Sequence, residues 1–137
     1  MPTGAVLLVR LDQALPESEL DRCREALVRD LEIASDDFRA GGPLLSCEEE
    51  EALLPDASAP GGWLDVNLWQ AFYSPACRRG DIVLMVAVAE WIEHAVPGAE
   101  VWYGARRDYA VTPFTPARRA ELLADYSMCV PVTAGSQ

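Results

Sequence analysis

The segment from Trp63 to Tyr73 constrains the fold more than any other part of the chain. In an extended backbone Leu64, Val66, Leu68 and Phe72 share one side, while Trp63, Asp65, Asn67, Trp69, Ala71 and Tyr73 share the other. Period-two alternation over this length predicts a strand with one aliphatic side, ending at Ser74-Pro75. Such a side needs cover, and three helical patterns are available to supply it.

The first helix is predicted over about residues 17–33, where Leu20, Cys23, Leu27, Val28 and Leu31 recur at helical spacing behind Ser18 as a cap. Arg22, Glu25, Arg29 and Glu32 lie on its other side, with Glu25 four residues before Arg29, the favourable order for an ion pair. The second helix is predicted from Ile82 to Val96, capped by Asp81 and stopped by Pro97-Gly98. The third runs from Ala117 to Tyr126, behind Thr115 as cap and Pro116 at the first helical position.

Ala5 to Leu11 is an apolar run of strand length, broken only by Arg10, and is suited to a central strand buried on both faces. Pro43 to Cys47 and Glu100 to Gly104 read as short strands, and Met128 to Val132 as an edge strand or docked tail. Ser46 followed by Glu49 resembles a capping box, predicting a short helix over Glu48 to Leu54. The rest of 34–62 reads as loops, marked by Asp36-Asp37, Gly41-Gly42-Pro43 and Ala57 to Gly62. No internal repeat or linker divides the chain, so a single α+β domain over 1–137 is expected. The order β-α-(β)-β-α-β-α predicts a ferredoxin-like β-α-β-β-α-β antiparallel sheet, with two helices on one face plus a C-terminal helix. If Pro43 to Cys47 is no strand, the alternative is another three- to five-stranded α/β sandwich.

Composition narrows the chemistry. All 11 basic residues are Arg, with no Lys and a single His. Schiff-base chemistry, a phosphate-loop lysine and a His-rich metal site are therefore excluded. Arg without Lys reads as the codon bias of a GC-rich, bacterial host. Cys23, Cys47, Cys77 and Cys129 form no Cys-x-x-Cys pair and are expected to be reduced thiols. There is no basic leader at Met1 and no apolar run longer than the eight residues Ile82 to Ala89, so a cytoplasmic location without membrane contact is expected.

The formal net charge is −11. Residues 1–68 hold 15 acids and 5 arginines, a net of −10, whereas residues 69–137 hold 7 acids and 6 arginines. Such a chain repels nucleic acid and favours a basic protein partner by steering encounter.

Four constellations are candidates for function. The first is the side of the long strand bearing Trp63, Asp65, Asn67, Trp69 and Tyr73, rigid aromatic area beside hydrogen-bonding groups, exposed if the helices cover the other face. Only one of Trp102 and Tyr103 can join that face. The second is the acidic run Glu48, Glu49, Glu50 and Glu51, with Asp36, Asp37 and Asp56, whose spacing does not fit a calcium loop. The third is a pair of arginine loops, Arg78-Arg79 and Arg106-Arg107, able to hold an anion if they meet. Cys77, beside Arg78 and Arg79, is a candidate nucleophilic thiol, and no nearby motif supplies its base. The fourth is Glu90 with His94 on one helix face, Glu93 alongside, a general-base or two-ligand arrangement that more often is a surface ion pair.

No nucleophile elbow, dinucleotide turn or phosphate loop is present. The expectation is a non-enzymatic binding protein of the immunity or antitoxin type, plugging a basic partner protein, without cofactor or metal. An anionic-ligand binder or enzyme using the arginine loops, and a structural homodimer through the aromatic face, are the alternatives.

Overall fold

A computed structural model of the chain describes residues 6–32, 45–46, 55, 57–66, 81–104 and 110–129. Within them lie eight elements: β1 (Val6–Arg10), α1 (Glu17–Asp30), β2 (Leu45–Ser46), β3 (Trp63–Val66), α2 (Asp81–Ala95), β4 (Glu100–Gly104), β5 (Thr112–Pro113) and α3 (Pro116–Cys129). The five strands form one sheet in the order β2-β3-β1-β4-β5, every neighbour antiparallel. The first four strands have the order of the ferredoxin-like arrangement, and the class is α+β. β5 extends the sheet beyond β4 and was not expected from sequence. Pro113, which has no N–H to donate, fits the edge position of β5.

β1 is central, as its apolar run from Val6 to Val9 requires. Leu7 and Val9 point into the main core, whereas Leu8 points to the opposite face, and all three are buried. The main core collects Leu64 and Val66 of β3, Val101 and Tyr103 of β4, Leu20 and Leu27 of α1, and Leu84, Met85, Val88, Ala89 and Ile92 of α2. α1 and α2 therefore pack on one side of the sheet, and Leu122 and Leu123 of α3 pack against the same core. No helix among the described residues is long and apolar enough to cross a membrane.

Several local expectations are corrected. Ser18 is not a cap: α1 begins at Glu17, and extended Pro16 presents its carbonyl to the amides of Glu19 and Leu20, both at 3.0 Å. A cap needs non-helical backbone, and Ser18 is already inside the first turn. Arg29 pairs with Asp30 at 3.1 Å rather than with Glu25. Met128 and Cys129 belong to α3 and not to a strand, since no Gly or Pro interrupts the chain between Ala117 and Cys129. Thr115 does cap α3, its Oγ1 accepting the Arg118 amide at 3.1 Å. The proposed continuation of β3 through Asn67 to Tyr73, and the helix over Glu48 to Leu54, lie outside the described residues.

Candidate interaction surface

The sheet face turned away from the helices is built from alternate residues of three strands. Glu100, Arg10 and Trp63 stand in one row across β4, β1 and β3, and Trp102, Leu8 and Asp65 in the next. Trp102 thus joins Trp63 on this face, and Tyr103 turns to the main core, where it stacks on Phe114 with ring centroids 4.7 Å apart.

This face is not open. Trp63 is only 6% exposed and forms a second, smaller core with Leu8 and Val111. Trp102 meets it edge to face, centroids 5.6 Å apart. Ala57 and Ala59 pack over it from the segment that precedes β3. That segment is bound back onto β1: Gly61 donates to Leu11 O at 2.9 Å, Leu11 donates to Gly62 O at 3.0 Å, and Arg10 Nε donates to Ser58 O. Gly62, at φ 87°, supplies the left-handed turn into the strand. The expectation that Trp63 presents its ring to water is therefore corrected, because the small residues ahead of it fold back as a lid. Trp102 and Asp65 remain half-buried, and the Trp102 indole donates to Glu100 Oε1 at 2.8 Å.

Of the other sequence candidates, Asn67, Trp69, Tyr73, Glu48, Glu49, Glu50, Glu51, Cys77, Arg78, Arg79, Arg106 and Arg107 lie outside the described residues. Glu90 and His94 are exposed on α2, and Glu93 turns to Arg119 of α3 rather than to the imidazole. No group of three or more potential metal ligands occurs among the described residues. Cys23 is half-buried, and desolvation followed by the nearby Glu19 carboxylate pushes its thiol up from the ordinary value, away from nucleophilic character.

The charge pattern is the most informative property of the described surface. Each of its six arginines is held by a carboxylate of the same chain. Arg10 pairs with Asp12, Arg22 with Glu19, Arg24 with Asp21, Arg29 with Asp30, Arg118 with Glu121 and Arg119 with Glu93. Glu17, Glu25, Glu32, Glu90 and Asp125 are exposed and meet no arginine among the described residues. On α1, Glu17, Asp21 and Glu25 follow one another every four residues, an acidic stripe advancing about 40° per step around the helix. Asp30, at the end of α1, accepts from the Trp91 indole at 2.8 Å, and this bond, then Arg29, holds its carboxyl below the usual carboxylate range. Sequence reasoning placed the acidity in the first half of the chain but could not see that the arginines nearby are already taken.

Comparison of the chain with family models, with curated proteins and with solved structures found no match. The functional reading therefore rests on the chemistry of this surface.

Proposed function

We propose that this chain is a non-catalytic cytoplasmic module that binds a basic protein partner, in its most concrete form an immunity- or antitoxin-type inhibitor. The supporting observation is the commitment of every described arginine to an internal carboxylate, which leaves Glu17 and Glu25 on α1, and Glu32 just beyond it, to set the surface potential. Such a surface accelerates encounter with a cationic protein and repels phosphates. It disfavours the anionic-ligand alternative wherever the chain is described. The burial of Trp63 shifts the proposed contact from the sheet face to the acidic helix.

The test is capture from a lysate of the source cells at low and at high salt, with the native protein and with a Glu17→Arg, Glu25→Arg, Glu32→Arg variant. The reading requires a stoichiometric partner of net positive charge, released by salt and not retained by the charge-reversed protein. A native protein that stays monomeric and captures nothing at micromolar concentration overturns it.

A further inference from the structure

Residues 116–125 of α3 are attached to the molecule differently from the other two helices. α1 buries Leu20 and Leu27 completely, and α2 buries Leu84, Met85, Val88, Ala89 and Ile92. Over residues 116–125 of α3, the one fully buried residue is a cation, Arg119, at 3% exposure, and Leu122 and Leu123 are only half-buried. The Arg119 guanidinium donates through Nη2 to Glu93 of α2 and lies 5.3 Å from the centroid of the Phe114 ring. Its Nε is buried without an acceptor. Glu93 keeps about a third of its side chain in water, so the two charges are unequally desolvated (4% against 35% exposed). A buried cation with one unmade hydrogen bond and a half-hydrated partner is incompletely compensated. Elements with few buried apolar contacts open at lower free energy than the global transition.

We infer that α3 is a strap that opens on its own, ahead of the sheet and the other helices, latched by the Arg119–Glu93 pair. Opening uncovers the Phe114 ring, which is 1% exposed when the strap is closed. Removing the carboxylate loosens the latch, because it strands a guanidinium in an apolar seam. Replacing the guanidinium by an unbranched apolar chain tightens it, because Glu93 can rehydrate where it stands while the seam gains an apolar filler.

Native-state hydrogen exchange of the full chain, read amide by amide, tests this. The hydrogen-bonded amides of residues 120–125 are expected to exchange faster than those of β1 and β4. Glu93→Gln is expected to raise their rates about tenfold while leaving β1 and β4 unchanged, and Arg119→Met to lower them about tenfold. The inference is overturned if α3 amides in the native protein exchange at the rate of β1 and β4. It is equally overturned if Glu93→Gln accelerates all elements together, or if Arg119→Met speeds exchange in α3. The native comparison decides even if one substituted chain fails to fold.

Discussion

Trp63→Ala separates a core indole from a docking indole by magnitude alone. Trp63 is 6% exposed beneath Ala57 and Ala59, beside Leu8 and Val111, with Trp102 against its face. A tryptophan buries about 150–250 Å² on folding, worth roughly 4–6 kcal/mol at about 25 cal/mol per Å². The edge-to-face pair with Trp102 adds about 0.5–1.5 kcal/mol. Part is recovered after truncation, because the segment carrying Ala57 and Ala59 can settle into the space. The expected loss is therefore about 3–5 kcal/mol, a large fraction of the roughly 5–15 kcal/mol that holds a domain together. Urea unfolding should show it as a fall in midpoint of about 2 M at a slope near 2 kcal/mol/M. Trp102→Ala, at a half-buried ring, should cost about half as much. A Trp63→Ala loss below about 1 kcal/mol, the range of ordinary surface positions, would falsify the small second core and return the ring to the solvent.

Other perturbations probe separate links. A side chain at Gly61 would place its Cβ 2.6 Å from Gln13 N and 2.7 Å from Ala14 N, against backbone that cannot rotate away. Gly61→Ala should therefore cost about 2 kcal/mol or more in chemical denaturation and loosen the cover of Trp63. Thr115→Ala removes the Oγ1 that accepts the Arg118 amide and should lower stability by about 1 kcal/mol in the same assay. Trp91→Phe removes the indole N–H that depresses Asp30, so the Asp30 titration followed by NMR should move up toward the ordinary carboxylate value. Because its folded value is depressed, the Asp30 contribution is present above the unfolded value near pH ~4 and is lost as pH falls through the lower folded value. In the Trp91→Phe protein that acid loss should shrink.

Helical periodicity carried most of the legible fold. α1 and α2 fall within a few residues of their expected limits, because Leu20 and Leu27, and Leu84 through Ile92, leave a helix only one way to bury them. β1 was legible because the unbroken apolar run from Val6 to Val9 has no polar side to show water. β5 was not, since two residues with Pro113 among them carry neither period nor length. The start of α1 was misread at Ser18 because a good capping residue says nothing about where the preceding proline has already fixed the backbone.

The candidate surface was harder to read, for a different reason. Alternation assigns Trp63 and Leu64 to opposite sides of β3 but is silent on what covers each side. The signal for the cover was local: Ala57, Ala59, Gly61 and Gly62 precede Trp63, and small residues are what a chain needs to return over its own strand at close range. Arg10 likewise looked like the polar end of an apolar strand, yet its side chain fastens that cover through Ser58.

Charge separates the two explanations for the acidity of the chain, because they respond to salt in opposite ways. Glu17 and Glu25 each stand four residues from Asp21, whose charge Arg24 offsets in part, so each like pair costs at most about 0.2–0.5 kcal/mol of helix stability. Glu32 adds to the same potential just beyond the helix. Screening relieves this repulsion, so salt should stabilise the lone protein. A partner bound through the same carboxylates gains from their unscreened field, so salt should weaken the complex. If acidity served solubility alone, only the first effect would exist, and neutralising Glu25 to Gln would raise stability with no loss elsewhere. A loss of partner association rate, in a variant that is itself more stable, is the signature of a helix that keeps its repulsion for the sake of what it binds.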